Sequence, residues 1–313
     1  MENKDLKYVY EESLKPHLQS VEKDRLWIKK RVILALVIAL LLLFGVAFIP
    51  SQIAMWIAIA LLLLALLWTA GTGIVKYFTY RHEFKEKVVR EVVKFINKEY
   101  KYDAYQHIGV SDFNASNLFK KASMCRGDDY VRGLVKKTPF HYSEINAGSV
   151  PGNNQNTKIN SVFKGLFFYA DFNKELKGET YVLPDKAEKL LGKMGQQFQL
   201  GNKKGALVKL ENNAFEKEFV VYSSNQIEAR YVLTPVIMEA IVKIKRKYKL
   251  HLHFSFLANR IYCAIKLNKN LFEPRVLSNG VSFTDVEYMY ELFGLIETII
   301  KDMNLNTRIW TKR

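Results

Sequence analysis

Between Val32 and Val75 the chain carries no Asp, Glu, Lys or Arg. Two runs rich in Leu, Ala and Ile fill this stretch, parted only by residues around Pro50, Ser51 and Gln52. The first, Val32 to Ile49, is about 18 residues long and at about 1.5 Å of rise per residue just covers a hydrocarbon core of about 30 Å. The second, Ile53 to about Val75, is longer and can tilt. Lipid offers no partner to backbone N–H and C=O groups, so runs of this composition cross it only as helices. The expectation is a two-helix transmembrane hairpin over 32–75, with Trp56 and Trp68 near the ends of its second run, where aromatic rings favour the interface.

Flanking cations orient such a hairpin. Lys23, Arg25, Lys29, Lys30 and Arg31 precede it and Lys76, Arg81, Lys85, Lys87 and Arg90 follow it, whereas the connecting turn has none. Cytoplasmic loops carry the excess of Lys and Arg, so both termini are expected in the cytoplasm, in a multi-pass protein of the inner (plasma) membrane. A cleaved signal peptide does not fit: its single apolar core would follow a short basic start, whereas here 31 residues come first and a second run follows. A buried pair of helices in a soluble core would need protein on every side of each. No ionisable group lies inside the runs to suggest a transport path, so an anchor is the expected role.

Beyond Val75 lie 238 residues, enough for a large domain with its own core. The formal net charge is +16, of which the arm before Val32, with eight Lys/Arg and six Asp/Glu, supplies only +2. A basic domain beside an anionic leaflet is drawn to it, by about 1 kcal/mol per nearby Lys or Arg. Acidic residues are interspersed and no block of like charges occurs, so a solvated lysine-rich surface accounts for most of the excess. Lysine excess without a reader motif gives no specific nucleic-acid binding. The two cysteines, Cys125 and Cys263, stand far apart, as suits a reducing compartment.

Residues Tyr8 to Arg31 read as a helix with Leu14, Leu18, Val21 and Trp27 as a loose stripe, weakened by Pro16. After the second run, Phe84, Val88, Val92 and Ile96 continue helical spacing as a stalk. From about Asp129 the period becomes alternating. Strands are expected at Tyr130–Lys136, Pro139–Asn146 and Val162–Phe172, with a long polar loop over Ala147–Asn160. Glu179–Leu183 is expected to pair back on the preceding strand through Asn173–Gly178. A short helix at Asp185–Met194 and a strand at Ala206–Leu210 follow. A hairpin is expected from Phe219–Ser223 and Ile227–Leu233. Thr234 and Pro235 open a helix with Val236, Ile237, Ala240, Ile241 and Ile244 on its buried face, and Lys243, Lys245, Arg246 and Lys247 complement its C-terminal dipole. Leu250–Phe256 and Ile261–Leu267 form a second hairpin. Thr284 with Glu287 makes a capping box for a terminal amphipathic helix.

The fold class is therefore α+β: an N-terminal two-helix transmembrane hairpin, then a cytosolic domain of antiparallel strands covered by helices. Its expected parts are a helical arm over 1–31, the hairpin over 32–75, a helical stalk and connector over 76–127 and the cytosolic domain over 128–313.

Several phrases carry a resemblance. Asp128-Asp129-Tyr130-Val131-Arg132-Gly133, Phe140-His141-Tyr142-Ser143-Glu144, Phe163-Lys164-Gly165-Leu166-Phe167-Phe168 and Ala170-Asp171-Phe172-Asn173-Lys174 are similar to a bacterial family known as DUF3137. So are Phe219-Val220-Val221-Tyr222, the run from Glu228 to Pro235, and Asn270-Leu271-Phe272-Glu273-Pro274. The resemblance implies a bacterial inner-membrane protein with a cytosolic domain. It implies no catalytic residues.

No metal or cofactor is expected. His251 and His253 alternate on one strand face, but zinc takes three or four ligands and no third is near in sequence. Gly201-Asn202-Lys203-Lys204-Gly205 lacks the lysine-then-hydroxyl ending of a phosphate loop and precedes a strand. Charged residues among aromatic strands are more informative, because such groups are usually paired or functional. Asp171, Lys174, Glu228 and Arg230 are the candidate binding residues, the last two sharing one face of an expected strand. A cross-strand ion-pair ladder is their alternative role.

These observations favour a non-enzymatic, membrane-tethered cytosolic scaffold. Its expected partners are the bilayer through 32–75 and either a protein or the anionic lipid surface. One alternative is an enzyme acting on a lipid or nucleotide, which requires Asp171, Glu228 and Arg230 to converge on one cleft. Another is a pleckstrin-like lipid-headgroup domain of seven strands closed by a helix.

Overall fold

The computed structural model describes residues 6–8, 10–45, 48–150, 159–171, 175–184, 205–267, 272–277 and 282–306, with Ser20 and 302–306 as backbone only. The chain forms two compact units, one from residues 1–95 and 272–288, the other from 96–271 and 289–313.

In the first unit, a π-helical turn at Tyr10–Leu14 leads into α1, Lys15–Leu40. Pro16 sits in the first turn of α1, where its missing N–H removes no helical bond. Leu14, Val21 and Ile28 form the buried stripe; Arg25 joins it, its guanidinium 2.5 Å from Glu22 Oε1. Trp27, expected in that stripe, is exposed. Ser51 caps α2, Gln52–Phe84, and the helix continues through a π-helical turn at Lys85–Val89 into α3, Arg90–Ile96. The stalk stripe lies as its spacing predicts, with Phe84, Val88 and Val92 buried.

Helix Gln52–Ile96 is 45 residues long and apolar enough to cross a membrane, and only 6% of its most apolar window is buried. It is the one such helix among the described residues. The first apolar run yields α-helix only as far as Leu40 and then a π-helical turn at Leu41–Gly45, so it does not form an equally long described span. α1 and α2 pack antiparallel: Lys76 Nζ lies 2.7 Å from Asp24 Oδ2, and Gly73 faces Arg31.

The same unit contains the start of α8, Phe283–Asn306. Its capping box is Ser282 with Asp285, two residues ahead of the expected Thr284 and Glu287. Asp285 N–H donates to Ser282 Oγ at 3.3 Å and Ser282 N–H to Asp285 Oδ2 at 2.9 Å. Arg275, 2.5 Å from Asp285 Oδ1, holds that carboxylate in place.

The second unit is built on a nine-stranded antiparallel sheet. Its strands are β1 Lys101–Asp103, β2 Met124–Val135, β3 Thr138–Ser149, β4 Asn160–Asp171, β5 Thr180–Pro184, β6 Ala206–Val208, β7 Phe219–Ser223, β8 His251–Leu257 and β9 Arg260–Lys266, in the spatial order β1-β2-β3-β4-β9-β8-β5-β7-β6. The helices are α4 Val110–Ala115, α5 Asn213–Glu216, α6 Gln226–Val232, α7 Pro235–Tyr248 and the rest of α8. Alternation sends Ile145, Phe167, Tyr169, Tyr181 and Tyr262 to one face, where Ile108, Phe113 and Leu118 complete the core. Tyr142, on the other face, meets Phe293 of α8 at 4.8 Å. Lys247 of α7 reaches Glu291 of α8 at 2.7 Å.

Gly165 in β4 has φ +147°, and a Cβ there would lie 2.0 Å from the Ile265 carbonyl oxygen, so the close β4–β9 pairing depends on its bare backbone. A register shift between Asp128 and Val131 leaves Asp129 at φ 56°, where it accepts a bond from the Tyr102 hydroxyl at 2.5 Å.

The topology departs from the expected one in four places. β5 pairs with β7 and β8, not with β4; the β8–β9 hairpin lies between them. Phe254, Ser255 and Phe256 of β8 and Ile261 to Ile265 of β9 are all buried, so this hairpin belongs at the sheet's centre, which displaces the local β4–β5 pairing. Residues 227–233 are helical: Asn225 is an N-cap whose side chain accepts from Glu228 N–H, and that capping signal resembles a turn in sequence. β1 and α4, within the expected connector, belong to the second unit, β1 pairing with β2. Among the described residues β1 and β6 are edge strands that do not pair with each other, so the sheet is open and larger than a seven-stranded pleckstrin-like barrel. The expected helix at 185–194, the loop residues 151–158 and the glycine–lysine segment 201–204 lie outside the described residues.

Candidate functional site

Asp171 ends β4 and pairs across the ladder with Arg260, which opens β9. Arg260 Nε donates to Asp171, and Arg260 Nη1 donates to Asp112 Oδ1 of α4 at 3.2 Å. One guanidinium thus holds two carboxylates from different elements. Its carbon also lies 5.0 Å from the centre of the Tyr169 ring, which stacks on His141 at 4.6 Å and 22°. His141 Nδ1 is 2.6 Å from the Tyr130 hydroxyl, and Tyr262 lies 6.1 Å from Tyr169. Period-two alternation and the β3–β4–β9 register (His141↔Tyr169↔Tyr262) place these rings in one row across neighbouring strands.

Burial pushes the His141 imidazole below its ordinary value, against the pull of Asp171 and Asp112. Burial also raises the Tyr130, Tyr169 and Tyr262 phenols. Burial disfavours charge on Arg260, but hydrogen bonds to Tyr262 and Asp171 more than offset it and raise its value. At neutral pH the row is therefore a neutral imidazole among protonated tyrosines, ending in one cation and two carboxylates. With its proton on Nε2, His141 accepts the Tyr130 hydroxyl at Nδ1. The three ionic side chains reach solvent: Arg260 and Asp112 are 32% exposed and Asp171 29%. Rigid tyrosines beside an arginine are a composition suited to recognition.

The other candidate residues are elsewhere. Glu228 accepts from the backbone N–H of Lys177 at 3.1 Å and of Gly178 at 2.6 Å, clamping the segment that enters β5. Arg230 donates to the Gln226 carbonyl at 3.1 Å, one turn back on its own helix. On a helix, residues 228 and 230 point about 200° apart instead of sharing a face. Asp171 and the Glu228 clamp are at the same end of the sheet, but β9 and β8 separate β4 from β5, about 14 Å at the usual strand spacing. No hydrogen bond or ion pair joins Asp171, Glu228 and Arg230 among the described residues. Lys174 lies outside the described residues. His251 is exposed, His253 packs 5.2 Å from Phe119, and the pair gathers no third metal ligand among the described residues.

Sequence reasoning missed Asp112, Tyr130, His141, Tyr169, Arg260 and Tyr262 as a group. Tyr169 and Asp171 stand two apart in one strand, which hinted at a shared face; the rest depends on cross-strand register.

No curated protein matches the chain. Among solved structures it is similar to the crystal structure of the mycobacterial trehalose monomycolate transport factor A, TtfA, with 8% identity, a TM-score of 0.35, and coverage of 72% of this chain and 96% of that one. A likeness at that level supports no transfer of fold or function. The family comparison is more specific and runs from β4 to α8, leaving out the apolar stretch and the similar phrases at 128–144. Residues 161–305 match the family described as "Protein of unknown function (DUF3137)", the family that the sequence phrases resemble.

Proposed function

We propose that this chain is a membrane-tethered, non-enzymatic binding module: residues 32–75 cross the bilayer twice, both termini face the cytoplasm, and the sheet unit engages a protein partner there. The observation that carries the tether is the Gln52–Ile96 helix, whose most apolar window is almost unburied by the chain itself. Exposed Leu36, Leu43, Phe44 and Phe48 extend the same uncovered apolar surface to the first run. Flanking cations on both sides support the orientation.

The binding surface is the Tyr130–His141–Tyr169 row with its Arg260–Asp171–Asp112 end. His141 stacks on Tyr169 and its Nδ1 edge is taken by the Tyr130 hydroxyl, so the imidazole is held in place within the row, which favours recognition. A photo-crosslinker in place of Arg132, which pairs with His141 and is exposed, tests this in native membranes. One recurrent protein adduct, lost in Arg260→Met, supports the reading. Lipid headgroup adducts alone overturn the protein-partner claim, and release of the chain by alkaline carbonate overturns the tether.

A further inference from the structure

We propose that the cleft between α1 and α2 binds one anionic phospholipid, an acyl chain lying along the cleft and the phosphate meeting Arg31; this rests on the membrane-tethered reading above. The cleft holds about 540 Å³, within the range of small-ligand sites. Its walls are nearly all apolar, and small residues, Ala35, Ala39, Ala70 and Gly73, keep it open where the helices pass. At Gly73 a Cβ would come within 3.7 Å of Arg31 Cβ, so the arginine stands where the two helices come close.

Charge sets the occupant. Arg25 pairs with Glu22, Lys76 with Asp24, and Arg81 and Lys85 with Glu273. Arg31, like Lys29 and Lys30, has no acidic partner among the described residues, and of these three it alone lines the cleft. Its guanidinium lies 4.8 Å from the Trp27 ring, an aromatic at the level where headgroups begin. An apolar slot that ends in a guanidinium without an acidic partner among the described residues, at the edge of a charge-free run, complements an acyl chain ending in a phosphate.

The full-length protein in mild detergent, given equal phosphatidylglycerol and phosphatidylcholine and read by native mass spectrometry, tests the site. Expected is one retained phosphatidylglycerol, about fivefold preferred over phosphatidylcholine, as one basic contact near a headgroup provides. Arg31→Gln should erase the preference, Arg31→Lys should keep most of it, and Ala70→Phe, which fills the slot, should displace both lipids. Equal retention of the two lipids, unchanged preference in Arg31→Gln, or a lipid-free dimer overturns the site. Alkaline carbonate extraction separates the two claims: release of wild-type chain sinks the tether, whereas a retained chain without lipid preference sinks only the lipid site.

Discussion

Replacing Arg260 by Met keeps most of the side-chain stem and removes only the charged fork, so it isolates what that fork contributes. The fork makes a charge-assisted bond to Asp171, a second to Asp112 at 3.2 Å, and a face contact with Tyr169 at 5.0 Å. Bonds to charged groups are worth about 1.5–3 kcal/mol when buried and about 0–1 kcal/mol at the surface. At 32% exposure Arg260 lies between these limits, so about 1 kcal/mol for each carboxylate is a reasonable discount. The cation–π contact adds about 0.5–1 kcal/mol. The removal also leaves two carboxylates facing each other with no cation between them. A loss of about 2–3 kcal/mol follows, with about 1 kcal/mol of coupling to Asp171→Asn in a double-mutant cycle. Urea-dependent pulse proteolysis of the full chain in nanodiscs measures both quantities. A loss under about 0.5 kcal/mol, or effects of Arg260→Met and Asp171→Asn that simply add, would refute the argument that these side chains act as one network.

Two further outcomes follow from the same contacts. Glu228→Ala orphans the buried Gly178 amide and leaves the exposed Lys177 amide to water, so it should cost about 1–2 kcal/mol; hydrogen exchange at the Gly178 amide should accelerate, and unchanged protection would show that the clamp is idle. The depressed His141 value means that the unfolded chain binds its proton more readily than the folded one, so this group's contribution to stability is complete above about pH 6.5 and is lost as pH falls through the lower folded value. Asp171 and Asp112 oppose that shift while Arg132 and Arg260 reinforce it. His141→Gln should therefore flatten the acid limb of the stability profile, and an unaltered limb would assign it to other groups.

Local signals were readable where a single side chain states them. Thr234 caps α7 through Ile237 N–H at 3.3 Å and Pro235 takes its first position, as composition suggests. The β8–β9 hairpin and the buried set Leu250, Leu252, Phe254 and Phe256 follow from alternation alone. Contacts between distant segments were not readable. Nothing near Glu179 announces that β8, more than 70 residues later, will replace β4 as its neighbour, because the choice is made by which hairpin needs apolar cover on both faces. Asn225 reads equally as a turn residue or a helix cap, which turned α6 into an expected strand and put Glu228 and Arg230 on one face. The candidate site suffered most. Of its residues only Asp171 was singled out, since the row from Tyr130 to Arg260 exists only after four strands are in register.

The tether with both ends on one side is tested most directly by single cysteines at Ser51, Lys217 and Lys7, each in a Cys125→Ser background that leaves only the buried Cys263. The probe is a membrane-impermeant maleimide, applied to right-side-out vesicles before and after permeabilisation. The account predicts labelling at Ser51→Cys in sealed vesicles and at Lys7→Cys and Lys217→Cys only once they are opened. Labelling of Lys217→Cys in sealed vesicles, or protection of Ser51→Cys there, would contradict it.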